Sequence, residues 1–310
     1  MGVFVFLPLV LPFTAWPIAR LAEQQLHPRS ATRLLTTVSV VLAACSTLCL
    51  ALLMVVGTAQ LPGNPLPDGW SDPEVRAAVP FDEIAGKASI VALIAVTAAC
   101  TATAVRHWRV RRQARQALAG LPPRQVAVLP DDMPYAHAVP GKTGRIVVST
   151  AMLAGLNSRE RRALFAHERV HLTARHHRHL LAVQLAARAN PFLRPLATAV
   201  AYTTERWADE EAAHAIGDRR LMARAVGKAA LISPAAPSLP FAAFATPGPV
   251  PRRVAALLGP APCPRGWPPA FTPAGFAAWM AATGAAASAL SSANAAIGLT
   301  LVLHAATPFV

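Results

Sequence analysis

The residues His167-Glu168-Arg169-Val170-His171 have the types and spacing needed for metal-assisted hydrolysis. On an α-helix, residues four positions apart share a face, so His167 and His171 can direct two imidazole nitrogens at one ion. Glu168 lies one position further round the helix and can reach a water on that ion without being a ligand. Two neutral nitrogen ligands, an open coordination position and a nearby base are what this chemistry requires.

The surrounding sequence predicts the helix that this pair needs. Ser158 is a favourable N-cap, and no proline interrupts residues 158–179. Apolar residues recur with helical spacing at Ala163, Leu164, Ala166, Val170 and Ala174. The alternative is a surface helix that carries two solvated histidines. We expect the histidines that follow, His176, His177 and His179, to form a solvated or headgroup-facing cluster, with a second metal site as the alternative.

A candidate third ligand lies in a second predicted helix. Glu205 and Asp209 are four positions apart and therefore share a helical face. A catalytic zinc site uses three protein ligands, and His-His-Glu is one such set. Asp209 could then accept a hydrogen bond from the second ring nitrogen of a ligand histidine and fix its tautomer. The alternative is an ordinary charged helix face that includes Arg206.

The segments ERRALFAHERVHL (160–172), NPF (190–192) and ERWADEEA (205–212) resemble the integral-membrane zinc metallopeptidases of the gluzincin type. The resemblance extends from about residue 130 to about residue 260 and concerns two branches. One is the antirepressor and beta-lactam-sensor family, and the other is the heat-shock and CAAX-prenyl endopeptidase family. The NPF segment favours the antirepressor type. The resemblance implies one zinc ion per chain, with Glu168 as general base and Asp209 behind the ligands His167, His171 and Glu205.

One motif departs from this resemblance. The segment 246–257 resembles a heat-shock-branch motif that begins Thr-His-Pro-Pro, but Pro247 stands where that motif has histidine. Arg253 keeps its place and could contact substrate or stabilise an oxyanion, with an ordinary salt bridge as the alternative. The missing histidine leaves transition-state stabilisation unassigned, and Tyr202 and His214 are candidates for it.

The composition indicates a membrane protein, because 54% of residues are apolar and the mean hydropathy is +0.40. Apolar runs at 3–20, 35–59, 85–105 and 275–304 predict four transmembrane helices. The last run is rich in small residues that pack against other helices, and Asn294 within it predicts a buried hydrogen bond. Three cysteines lie inside these runs (Cys45, Cys49 and Cys100), and Cys263 lies in a proline-rich loop. All four are expected to be apolar packing residues rather than disulfides or zinc ligands.

The net charge is +14, and most of the excess lies between the third and fourth apolar runs. Positive flanks belong on the cytoplasmic side of a cell membrane, so residues 106–275 are expected there. A basic segment could also bind nucleic acid. Since no nucleic-acid module is visible, we expect no direct nucleic-acid partner. The expected partners are the lipid bilayer and a protein or peptide substrate, with a transcriptional repressor among the candidates.

These patterns predict a mainly α membrane protein of the inner or plasma membrane. A membrane domain (1–105) and a last transmembrane helix (272–310) flank a cytoplasmic α+β zincin-like domain (106–271), inserted between helices 3 and 4. Residues 145–150 predict a strand, and the region 134–153 around it resembles the edge strand that accepts a peptide by backbone hydrogen bonds, with a plain structural strand as the alternative. Residues 180–201 predict two helices packed on the zinc domain rather than a hairpin through the membrane.

The function expected from these observations is a membrane zinc endopeptidase without an extracellular sensor domain. The alternative is a non-catalytic signalling or scaffold protein in which a zinc ion only holds the fold. That alternative predicts a fourth protein ligand, with His176, His177 or His214 closing the site.

Overall fold

The computed structural model describes residues 5–64, 66–73, 75, 82–122, 124–141, 144–233, 249–262 and 269–307. Most of them are helical. The helices are α1 (Leu7–Val10), α2 (Ala15–Gln25), α3 (Pro28–Ala59), α4 (Asp82–Ala117), α5 (Thr150–Gly155), α6 (Ser158–Thr173), α7 (His176–Ala189), α8 (Arg194–Ile216), α9 (Arg219–Ile232), α10 (Val250–Leu258) and α11 (Pro273–Ala305). The strands are β1 (Val126–Leu129), β2 (Ala136–Val139) and β3 (Arg145–Ser149).

Among these residues, α3, α4 and α11 are long and apolar enough to cross a membrane. They contain three of the four predicted spans. At one end of the bundle α3 meets α4 at Gly57 and Gly86, where the backbones touch so closely that a side chain on either glycine would overlap the other helix. Further along, α3 meets α11 through Cys49 and Ser292, whose Sγ and Oγ atoms are 3.6 Å apart. Small residues thus permit close contact, as the composition of the last run predicts.

The expected first span is not one continuous helix. Pro8, Pro12 and Pro17 lack the N–H that helix interiors require, and residues 7–25 are divided into α1, a 3₁₀ turn at Leu11–Thr14 and α2. The segment nevertheless packs along α3. Val5 shares an apolar cluster with Val56 near the end of α3, and α2 shares another cluster with the beginning of α3. The four-span count therefore stays a prediction.

Asn294 does not make the buried contact that was expected of it. The side chain lies on the exposed face of α11, whereas Ser288, Ser292 and Ala295 form the buried face. The expectation was wrong because Asn294 falls outside the stripe of small residues that meets α3.

The described cysteines are free thiols that pack among apolar residues. Cys45 and Cys49 are buried and Cys100 is half-buried, while Cys263 lies outside the described residues.

The sheet has the strand order β1-β3-β2. β1 pairs in parallel with β3, and β2 pairs antiparallel with β3, with His137 opposite Val147. The predicted strand at 145–150 is present as β3, but it is the central strand, and the strand at the edge beside α6 is β2. Burial agrees with this order, since β3 is almost wholly buried whereas three of the four β2 residues are only partly buried.

The helix that carries the histidine pair begins one residue earlier than the cap prediction implies. Asn157, rather than Ser158, is the N-cap: its Oδ1 accepts from the Glu160 N–H at 2.9 Å, and Glu160 Oε2 accepts from the Asn157 N–H at 2.9 Å. This reciprocal pair satisfies two donors at the start of α6. Lys228 of α9 donates to the same Glu160 oxygen at 3.0 Å.

Residues 180–201 form parts of two helices, as predicted, with a 3₁₀ turn at Pro191–Leu193 between α7 and α8. Their apolar faces pack against α3, in one cluster that includes Leu35, Leu42, Val183 and Leu196. The turn between them carries Phe192, whose ring centre lies 3.9 Å from that of Phe13. The two helices thus connect the candidate site to the membrane helices, in addition to the zinc-domain contact that was expected.

Candidate metal centre

Helices α6 and α8 bring together the three candidate ligands. The Nε2 atoms of His167 and His171 are 3.1 Å apart, and each lies 3.5 Å from a different carboxylate oxygen of Glu205. Tetrahedral zinc with bonds of about 2.0–2.1 Å requires ligand atoms separated by about 3.3 Å. The three side chains therefore fit one small ion. Within the part of the chain that the structure describes, no fourth His, Cys, Asp or Glu joins this group.

Arg253 of α10 neutralises the carboxylate of the group. Its Nη1 atom lies 2.9 Å from Glu205 Oε2. Burial by itself would raise the pKa of Glu205, but Arg253 and the two imidazoles outweigh it and hold that pKa well below its ordinary value. Glu205 is thus an anion, as a metal ligand must be.

Asp209 connects Arg253 to the histidine pair from behind. Its carboxylate, which is fully buried, accepts from Arg253 Nε at 2.8 Å and from Nη2 at 2.7 Å. Asp209 Oδ1 also lies 3.0 Å from His167 Nδ1, the ring nitrogen opposite the candidate ligand atom. Burial raises the pKa of Asp209, and the bidentate Arg253 contact more than reverses this, lowering it to about 2. Arg253 therefore has the structural ion-pair role that the sequence left as one alternative.

We expect Arg253→Leu to lower the free energy of unfolding by about 3–5 kcal/mol, because it leaves two buried carboxylates without their cation. Thermal unfolding of the metal-free protein in detergent would measure this. The matched control is Arg252→Leu. Its side chain is 52% exposed and pairs with Glu23 at 3.1 Å, so a loss of about 1 kcal/mol or less is expected. Equal losses for the two variants would contradict the role given to Arg253.

The two histidines differ in charge before a metal binds. Burial alone would lower the pKa of His167, but Asp209 and Glu205 outweigh burial and raise it to about 10. For His171, burial dominates and lowers the pKa to about 4. At neutral pH the metal-free site therefore holds one protonated and one neutral imidazole.

Because a histidine ligand must be neutral, zinc uptake should displace the His167 proton. We expect about one proton released per zinc ion at pH 8, and an affinity that rises about tenfold per pH unit below the His167 pKa. Calorimetric titration in buffers of different ionisation enthalpy would count the proton. Asp209→Asn removes the carboxylate that raises this pKa, so it should reduce the release. No proton release from the unsubstituted protein would refute the protonated state.

Glu168 lies beside the ligand group and against the edge strand. It is buried, and the backbone N–H of Ala138 in β2 lies close enough to stabilise its carboxylate. Burial raises the pKa of Glu168 to about 7, although His167 and the Ala138 N–H act in the opposite direction. A carboxylate whose pKa lies near neutrality can both accept and return a proton. The sequence did not indicate the Ala138 contact, because it joins a strand and a helix that are distant along the chain.

His176 is not the solvated residue that was expected. It is fully buried, and its Nδ1 lies 3.0 Å from Nδ1 of His171. Burial lowers the pKa of His176 to about 2, so the ring is neutral. The helix that carries the histidine pair does not continue through His176, because Arg175, between α6 and α7, adopts a left-handed conformation with φ of 54°. Neighbouring His177 and His179 are partly buried, and His179 Nδ1 lies 3.2 Å from Thr36 Oγ1.

The two other candidates, Tyr202 and His214, lie on the same helix as Glu205. Tyr202 is buried under the Arg252 guanidinium, whose carbon lies 4.4 Å from the ring centre. His214 is exposed in the last turn of α8, about 14 Å along the helix from Glu205 at 1.5 Å per residue. The sequence did not single out His137 in β2, which is near enough to Glu205 to feel its charge. Burial lowers the pKa of His137 to about 4, although Glu205 acts to raise it.

Residues 102–196 match the model of peptidase family M48. The M48 match includes the sheet, the capped start of α6 and the His-Glu-x-x-His residues, and it ends before Glu205. It indicates a metallopeptidase, and together with the candidate membrane helices it fits a membrane gluzincin. No curated protein and no solved structure matches the chain. The antirepressor-type assignment stays a prediction.

Proposed function

We propose that this protein is a membrane-embedded zinc-dependent endopeptidase with one zinc ion per chain. The observation that carries the proposal is the triangle of His167, His171 and Glu205, with sides of 3.1, 3.5 and 3.5 Å. The match to peptidase family M48 supports the same chemistry. With three protein ligands, a fourth position is left for water or substrate, as catalytic zinc sites require and as a structural site would not.

Held by His167, His171 and Glu205, zinc would supply Lewis-acid polarisation. Glu168 would accept a proton from the attacking water on its carboxylate and pass that proton to the leaving amine. Asp209 holds the proton of His167 at Nδ1, so that Nε2 keeps its lone pair for the metal, and Arg253 fixes the Glu205 and Asp209 carboxylates in position. The half-open edge of β2 can align an extended peptide beside Glu168 by backbone hydrogen bonds.

The proposed arrangement in the cell membrane has four spans, the first being the proline-broken segment formed by α1 and α2. Residues 106–271 would then lie on the cytoplasmic side, between α4 and α11. The basic end of α4 supports this orientation through the positive-inside rule. The turn that carries Phe192 packs beside Phe13 of the first segment, so we place the tip of the α7–α8 pair at the level of the bilayer.

The proposed substrates are proteins or peptides with an extended segment close to the inner membrane surface. A transcriptional repressor is one candidate. The bilayer is the other partner, and no direct nucleic-acid binding is proposed. The non-catalytic alternative needs a closing ligand, and none of His176, His177 and His214 belongs to the group that could hold a metal.

The proposal can be tested with the purified protein in lipid nanodiscs. Incubation with an unfolded protein such as casein should yield fragments, a zinc chelator should abolish cleavage, and one equivalent of zinc should restore it. Cells that express the unsubstituted protein and the Glu168→Gln variant would reveal natural substrates as proteins that accumulate in the variant. Stoichiometric zinc binding without cleavage in either assay would favour the scaffold alternative.

A further inference from the structure

His176 lies on the side of His171 that faces away from the other candidate ligands. The His171 ring meets His167 through Nε2 and meets His176 through Nδ1, at 3.1 and 3.0 Å. Because the two contacts use opposite nitrogens of one ring, His176 cannot be a fourth ligand in this arrangement. Two imidazole nitrogens 3.0 Å apart share one proton, so one ring donates and the other accepts.

The position of that proton follows from the proposed metal site. If Nε2 of His171 directs its lone pair at an ion, the ring carries its proton on Nδ1 and donates it to Nδ1 of His176. His176 must then carry its own proton on Nε2. This atom is buried, and no hydrogen-bond partner for it lies among the described residues. A ligand histidine usually donates its second N–H to a carboxylate, a backbone carbonyl or water. A neutral imidazole is therefore an unusual acceptor for His171.

The surroundings hold the His176 ring in one place. The residue is fully buried, and its ring centre lies 4.6 Å from that of Trp207 on α8. Arg29 and Arg33, at the start of α3, each lie 5.6 Å from the Trp207 ring centre. The acceptor is therefore fixed by the helix that carries Glu205 and by a candidate membrane helix.

We propose that His176 is a positioning residue for the metal centre: an imidazole acceptor that fixes the tautomer and ring orientation of His171. The proposal rests on the proposed function, because it assumes a metal at the site. Asp209 has the equivalent position behind His167, at 3.0 Å. The two histidine ligands are thus oriented by different chemistry, one by a carboxylate and the other by a neutral ring.

The test measures the zinc dissociation constant of the purified full-length protein, by competition with a chromophoric chelator in detergent. His176→Leu removes the acceptor and keeps an apolar side chain. His176→Asn keeps an acceptor, because the amide oxygen can occupy the place of Nδ1. His177→Leu is the matched control on the adjacent residue. The absorption spectrum of the cobalt-substituted protein reports ligand geometry independently of activity.

We expect His176→Leu to weaken zinc binding by about 10- to 100-fold and to alter the cobalt spectrum. His176→Asn should recover most of the affinity, and His177→Leu should bind zinc as the unsubstituted protein does. Equal losses in His176→Leu and His176→Asn would assign the effect to contact with Trp207 and overturn the acceptor role. Unchanged affinity in His176→Leu would overturn the proposal while leaving the proposed function intact. Failure of the unsubstituted protein to bind zinc would overturn both.

Discussion

The Glu168→Gln variant is expected to bind zinc as tightly as the unsubstituted protein and to lose proteolysis by about 10²- to 10⁴-fold. Glutamine has nearly the same shape as glutamate, so the contact with the Ala138 N–H and the fit beside the ligands are kept. What is lost is the ability to accept a proton, since an amide is not a base at neutral pH. Zinc content by elemental analysis and cleavage rate by fragment quantification would be measured on the same preparations.

The control for this variant is Glu211→Gln, on α8 but away from the ligand group. The Glu211 side chain is 42% exposed and lies 4.0 Å from Arg29, so the substitution should leave both zinc content and cleavage unchanged. Undiminished cleavage of a verified substrate by Glu168→Gln would refute the base assignment. Loss of zinc along with cleavage would instead show that Glu168 supports the metal.

The second large effect is expected from Glu205→Ala, which should lose bound zinc. Structural zinc sites of about four ligands are worth about 10–16 kcal/mol, so one ligand accounts for about 3 kcal/mol or more, which is over a hundredfold in affinity. The loss should be larger than this estimate, because Arg253 is left facing the ion without the carboxylate that now lies 2.9 Å away. Competition with a chelator of known affinity would measure the change.

Glu211→Ala, six positions further along the same helix, provides the control for loss of a glutamate side chain from α8. Its zinc affinity should equal that of the unsubstituted protein. Retention of stoichiometric, tightly bound zinc by Glu205→Ala would rule out Glu205 as a ligand. A different third ligand would then have to be sought, beginning with substitution of Cys263.

The candidate site could be predicted from the sequence because its spacing is local. His167 and His171 share a face by helical periodicity alone, and Glu205 with Asp209 repeats the same spacing on another helix. The structure brings both faces together at 3.5 Å. The candidate membrane helices α3, α4 and α11 could also be predicted, since length and composition suffice to identify them.

The features that the sequence did not reveal depend on contacts between distant residues or on backbone geometry. Strand order is one: the position of β3 between β1 and β2 is set by pairing across the sheet, which no local pattern encodes. The burial of His176 is another, because a non-glycine residue in the left-handed region is uncommon and Arg175 gave no sign of it. Pro8 and Pro12 were visible in the sequence, and membrane helices tolerate proline, but no local pattern located the 3₁₀ turn at Leu11–Thr14.

The start of α3 has a consequence for attempts to isolate the peptidase as a soluble fragment. Thr32 donates to Thr203 on α8 at 2.9 Å, and Arg29 and Arg33 cover Trp207, two positions after the candidate ligand Glu205. Leu35 and Leu42 continue the same contact against Val183 and Leu196. A fragment of residues 106–271 would lack α3, so the apolar faces of α7 and α8 would be exposed to water. Because the candidate metal site packs directly on a candidate membrane helix, we expect its ligand geometry to survive only in a chain that keeps that helix.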